Sequence, residues 1–190
     1  MRSWVPVPGS TKALLVQEAL AAFGARGYEA VGVTELATSA GVTIGSLYHH
    51  FGSKAGLYDV VRTDVERRVL DRMEGAAAVR DTREPGGLAA VLLVGYDYLV
   101  GSGFARLLAE PRPDEIGGAD PSGSSSDPIA VFLADTADAD EAPIGSLLLA
   151  AWRQALAEAS ARLQAGGDAA SVRRALAAVL GDRAGIGASA

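Results

Sequence analysis

Apolar residues recur at helical spacing along most of the chain. Leu15, Val16, Ala19, Leu20 and Phe23 share one face of a first helix. It opens near Ser10 or Thr11, either of which can cap it, and stops at Gly27. A second helix is predicted from about Val33 to Ala40, and a third from about Thr43 to His49. Ser53 caps a fourth, where Leu57, Val60, Val61, Val65, Val69 and Met73 carry the pattern on towards Val79. Pro85-Gly86-Gly87 is a clear break. Beyond it, Leu88 to Val100 is apolar on most sides, which predicts the central helix of a second domain. Gly101, Ser102 and Gly103 bend or interrupt it before a further turn or two from Phe104 to Glu110. Four prolines, several glycines and a serine run predict a flexible loop over 111–128. A short helix from Ile129 to Ala134 and an acidic loop with Asp135, Asp138, Asp140 and Glu141 follow. Pro143 suits the first turn of a long helix. Its apolar stripe is Ile144, Leu147, Leu148, Ala151, Trp152, Ala155, Leu156, Ala159 and Leu163. Gly166-Gly167 ends it, and Asp168 caps a last helix lined by Val172, Leu176, Val179 and Leu180.

These elements predict an all-α chain. Residues 1–10 form an arm, 11–58 a first domain and 59–181 a helical second domain; 182–190 are a tail. The arm holds Arg2 as its one cation, so a frayed end outweighs a minor-groove role.

Within the first domain, Val33 to Phe51 reads as a helix, a tight turn and a second helix. Ala37 is small enough for a crossing helix to approach closely. Gly41 sits at a helix C-terminus, where a positive φ is needed and glycine adopts it cheaply. Val42 and Leu47 anchor the next helix. This is a helix-turn-helix pattern, in which the second helix enters the major groove of DNA. Thr43, Ile44, Ser46, Tyr48 and His49 are left outward, a mixture suited to base edges, thymine methyls and phosphates.

Thr11-Lys12, Leu14-Leu15, Ala19, Phe23, Gly27-Tyr28, Leu36-Ala37, Gly41-Val42, Leu47-Tyr48-His49-His50-Phe51 and Ser53-Lys54 together resemble the N-terminal domain of the TetR family of transcriptional regulators. The resemblance runs from about Thr11 to Val61, and its specific part is Gly41 to Lys54. It implies an all-helical homodimer, most often a repressor, whose C-terminal domain binds a small molecule and so controls DNA affinity. It also implies that Tyr48 faces a DNA phosphate and that the fourth helix links the domains. Ile44 departs from the polar residues common at its position, which implies a more apolar base readout.

Charge modifies this picture. The formal net charge is -6. Residues 1–73 hold eight basic against seven acidic side chains, a balance of +1; the rest hold nine against sixteen, or −7. The acidity thus lies away from the expected DNA face. The first domain is still barely basic, so its phosphate contacts must rely on helix N-termini, hydroxyls and few cations. The chain has no cysteine, which removes disulfides and thiolate metal sites. No secretory signal and no membrane-spanning run is recognised, and a cytoplasmic location is expected.

The candidate DNA contacts are Thr34, Thr43, Ile44, Ser46, Tyr48, His49, His50 and Lys54. Thr43 and Ser46 read equally as caps of their helix. His49 and His50 read weakly as a metal pair, since neighbours on a helix diverge and no third ligand is in view. The stronger reading sends one to the phosphates and packs the other at the junction of the third and fourth helices. Lys54, at a helix N-terminus, fits a phosphate clamp. Tyr96, Asp97, Tyr98, Phe104, Arg106, Phe132 and Trp152 are the polar or aromatic groups set in apolar helices. Together they form a candidate pocket for an apolar or aromatic effector. Leu148, Trp152, Leu156, Val172, Leu176 and Val179 are the candidate dimer face, pairing two helices from each copy into a four-helix bundle. No metal or cofactor is expected. Two other functions compete. A helical enzyme would need an acid–base pair in one cleft, but both histidines lie in the DNA-binding segment. An interaction module that has lost DNA binding accords with the weak basic charge.

Overall fold

A computed structural model describes residues 9–82, 84, 86–110, 127–136 and 142–181; for 142–146 it describes the backbone alone. Among the described residues the structure is all-helical. α1 spans Thr11–Arg26, α2 Val33–Ser39, α3 Ile44–Phe51, α4 Lys54–Ala77 and α5 Gly87–Gly101. α6 spans Ala105–Ala109, α7 Pro128–Thr136, α8 Ala142–Gln164 and α9 Ala170–Gly181. Most of the predicted arm, the loop from 111 to 126, three of the four acidic-loop positions and the predicted tail fall outside the described residues. Asp135 belongs to α7 rather than to a loop.

The early helices are bounded by local chemistry. The Ser10, Thr43 and Ser53 hydroxyl oxygens accept from the backbone N–H three residues on, opening α1, α3 and α4. α2 ends in a closed motif. Gly41 takes φ 67°, so that its N–H meets the Thr38 carbonyl and the Val42 N–H reaches back to Ala37. That reversal sets the angle between α2 and α3. Leu36, Ala37 and Leu47 turn inward to join Leu15, Ala19 and Phe23 of α1.

One continuous core joins both ends of the chain. α4 carries it from α1 in the head to α5, through the buried Leu57, Tyr58, Val61, Val65, Val69 and Met73. α8 is embraced by α5, α6, α7 and α9. At its middle, Trp152 is fully buried and its indole N–H donates to the Leu92 carbonyl at 2.9 Å. Burying an indole without a partner is costly, and this bond removes that cost.

A buried ion pair lies near the middle of α4, facing the end of α6. Arg62 and Glu66 of α4 are 1% and 3% exposed, with Nε to Oε1 at 3.0 Å. Arg62 also donates from Nη1 to the Glu110 carbonyl at 2.5 Å. Burial works against the Arg62 charge, but Tyr58 and Glu66 outweigh it and push its pKa up. A pair enclosed this way adds little to stability as a pair, yet leaving either charge alone is strongly destabilising.

Candidate nucleic-acid interface

α3 presents a continuous outward face. Thr43, Ile44, Tyr48, His49 and His50 are exposed, with Ile44 at 40% and Tyr48 at 50%; Ser46 is half-buried. Leu47 is fully enclosed and holds the helix down. Thr43 does cap α3: Oγ1 accepts from the Ser46 N–H at 3.1 Å and lies 2.9 Å from Ser46 Oγ. Capping fixes the two hydroxyls at the mouth of the helix while Thr43 stays exposed. Thr34 is exposed at the start of α2.

Both histidines are exposed, their rings 5.1 Å apart and inclined at 66°. The expected packing of one of them at the α3–α4 junction is not found, because Phe51, half-buried beside His50, takes that place. Among the described residues no group of three His, Asp or Glu is placed to hold a metal.

Gly45 does not stand out in the sequence, yet it belongs to this face. A Cβ there would meet only Thr43 Oγ1 at 3.7 Å, so nothing inside the chain demands glycine. Gly45 is the second residue of α3, in its first turn. Its evident effect is to flatten the outward face between Ile44 and Tyr48, where another backbone can approach closely. The signal available in the sequence is a glycine inside an otherwise well-capped helix.

Lys54 is half-buried rather than freely exposed. Its Nζ lies 4.1 Å above the centre of the Tyr28 ring. The first turns of α3 and α4 hold no acidic residue. A cation at the positive end of a helix is unfavourable by itself. The aromatic face offsets part of that cost, and both features favour an incoming anion. α3 and the start of α4 therefore offer exposed or half-buried hydroxyls, a phenol and one positioned ammonium.

The predicted pocket residues do not converge. Tyr96 is buried and donates its hydroxyl to the Ala169 carbonyl at 3.3 Å; burial and the nearby Asp97 charge raise its pKa. Trp152 is sealed in the core. Asp97 is exposed and held by both arms of Arg173 at 2.6 and 2.7 Å, which ties α5 to α9. The Tyr98 ring lies under the Arg72 guanidinium at 3.7 Å. Phe104 and Phe132 are half-buried on different helices, and Phe104 meets α1 beside Gly24. Arg106 bonds Glu110 and Gln164 and lines a cavity of about 190 Å³ between α6 and α8. These are separate helix-to-helix ties, not the lining of one site.

The predicted dimer face also needs correction. Trp152 and Leu156 are fully buried within the chain, and Leu148, Val172 and Leu176 are nearly so. Their stripe is already covered by neighbouring helices of the same copy. Of the six, Val179 alone faces outward, at 63% exposure. Leu147 joins it at 69%. Between α8 and α9 lies an apolar groove of about 300 Å³, lined by Ala151, Ala155, Val172, Ala175, Leu176 and Val179, with Gln154 and Glu158 at its edge.

Residues 15–61 match the sequence profile described as bacterial regulatory proteins of the tetR family. The HTH-type transcriptional repressor KstR2 of Mycolicibacterium smegmatis is 44% identical over 57 residues, which is 30% of this chain. The aligned stretch covers only 28% of that repressor. The fold as a whole is similar to two solved regulators. A TetR-family transcriptional regulator from Pectobacterium atrosepticum is 22% identical, with a TM-score of 0.59 and 90% of each chain covered. One from Aquifex aeolicus VF5 is 16% identical, with a TM-score of 0.58, covering 90% of this chain and 98% of that one. These relatives are described as regulators, not enzymes. Residues 15–61 thus carry the sequence pattern of the tetR family of bacterial regulatory proteins, on a helical architecture similar to that of solved regulators.

Proposed function

We propose that the chain is a cytoplasmic, dimeric, sequence-specific DNA-binding regulator, a repressor released from its operator by a small molecule. The observation that carries this reading is the α3 face from Thr43 to His50 with Lys54 set beside it at the start of α4. Two copies joined through the α8–α9 face would present two such helices. The operator is then roughly palindromic, with half-site centres about 34–36 Å apart or a multiple of that. Leu147 and Val179, not Leu148 or Leu176, are the residues at which to break the dimer. Leu147→Arg and Val179→Arg together should give a folded monomer by light scattering, and an unchanged dimer would refute this face.

DNA selection with the purified chain, followed by a gel shift on the recovered sequence, tests the reading directly. Tyr48→Ala should weaken binding while leaving thermal unfolding unchanged, because half of the Tyr48 surface is exposed. Wild-type affinity in Tyr48→Ala and Lys54→Ala alike would sink the assignment. The effector is expected to be apolar or aromatic, since Trp152, Asp97 and Tyr98 are already engaged within the chain. It is sought by screening for molecules that release the bound duplex. The near-neutral charge of the head is the one observation favouring an interaction module without DNA binding. Failure to select any duplex would favour it.

A further inference from the structure

We infer that Glu110, in the second domain, positions Lys54 for its phosphate through Tyr28, so that α6 holds the clamp in place. The inference rests on the DNA-binding reading above and goes beyond it by naming the residues that join the domains.

Tyr28 is where the two domains meet. Its ring supports the Lys54 ammonium from below at 4.1 Å. The backbone N–H of Tyr28 donates to Glu110 Oε2 at 3.3 Å. The other Glu110 oxygen accepts from Arg106 Nε at 2.6 Å, which fixes the carboxylate. The Tyr28 ring meets Tyr58 of α4, 5.0 Å away and steeply inclined, and stacks on Phe23 of α1 at 6.1 Å. The Tyr58 hydroxyl donates to the Leu107 carbonyl of α6 at 3.4 Å. The backbone of the Lys54 platform is therefore held from the end of α6, while its ring is held by α1 and α4, with Tyr58 in turn bonded to α6.

Gly27 permits this approach. It takes φ 80°, which ends α1, and a Cβ at that position would fall 2.4 Å from Glu110 Oε1 and 2.6 Å from Arg106 Nε. A side chain there would push the carboxylate away from Tyr28. Gly24, one turn earlier, lies as close to the Gly103 carbonyl, 2.8 Å from a built Cβ. The end of α1 is thus shaped to receive the second domain. Gln164 at the end of α8 adds a bond from its side-chain amide to the Ala25 carbonyl at 2.8 Å. If α6 moves, the Tyr28 backbone loses its carboxylate and the Tyr58 hydroxyl its acceptor, and the ring that aims Lys54 is less firmly held.

The test measures affinity of the full chain for a selected duplex of about three helical turns (~30 base pairs) across a salt series. Glu110→Ala should weaken binding on the order of threefold to tenfold. It should also flatten the slope of log affinity against log salt by the same step as Lys54→Ala, about 0.9 for each phosphate no longer neutralised. Glu110→Gln, whose side-chain oxygen still accepts from Tyr28, should restore most of the affinity. Tyr28→Phe should bind as wild type, and Tyr28→Leu should copy Glu110→Ala. In a Lys54→Ala background, Glu110→Ala should cost nothing further. A full additional loss in that background, or an unchanged salt slope in Glu110→Ala and Tyr28→Leu, would overturn the inference while leaving DNA binding intact. A wild-type chain that binds no duplex overturns the DNA reading instead. The geometry is then decided by NMR. The Lys54 side-chain protons next to Nζ should be ring-shifted upfield in wild type and return towards ordinary positions in Glu110→Ala; no change on substitution refutes the link.

Discussion

In the head, the hydroxyls of Ser10, Thr43 and Ser53 are spent within three residues of their own positions, each opening a helix. In the second domain the polar groups reach across the fold instead. Trp152 bonds a carbonyl 60 residues away, Arg173 a carboxylate 76 away and Tyr96 a carbonyl 73 away. The head is a small unit whose helices must be started and stopped by local chemistry, because short helices are marginal by themselves. α5 is long and apolar, and packing against α4, α8 and α9 holds it without a side-chain cap. Tyr48, His49 and His50 of α3 are thereby left exposed, while Asp97, Arg173 and Trp152 are paired within the protein.

The comparison makes graded predictions. The largest effect belongs to the packed side. Trp152→Ala should cost about 3–5 kcal/mol in denaturant unfolding, through the cavity left in the core. A midpoint shift under about 1 kcal/mol would mean that the second domain does not depend on Trp152. A selective loss of effector affinity with stability intact would return Trp152 to a pocket. On the local side, Ser53→Ala removes the α4 cap and should cost about 1 kcal/mol. It should also weaken DNA binding, because the same turn carries Lys54. An effect on stability equal to that of Trp152→Ala would erase the contrast between the two regions.

The smallest effect is expected at Glu35, whose carboxyl is held below its ordinary value of 4.5 by the hydrogen bond from Arg26. A depressed carboxylate contributes stability above its unfolded pKa, and that contribution fades as pH falls through the folded one. Wild type should therefore exceed Glu35→Gln slightly near neutral pH, with the difference gone once Glu35 is protonated in both states. The pair is exposed, so added salt should shrink the difference as well. A gap that persists in strong acid would point to a cause other than charge.

The helices themselves were readable in the sequence because their signals act over three or four residues. Ser10 and Gly27 bracket α1, Ser53 opens α4, and Gly41 turns α2 into α3 where the spacing placed them. The outward set on α3 was readable for the same reason, since helical periodicity says which side chains share a face. Periodicity does not say what covers that face. Trp152 and Leu156 had the spacing expected of a surface shared with a second copy, but α5, α6, α7 and α9 already cover them, leaving Leu147 and Val179 outside. The polar joints were hidden for a related reason. Tyr28 and Glu110 are 82 residues apart, and Ala25 and Gln164 are 139 apart. Gly27 reads in the sequence as a helix stop. Only the packed structure reveals that its missing side chain also makes room for Glu110, because that space belongs to two helices whose meeting is settled by the whole core.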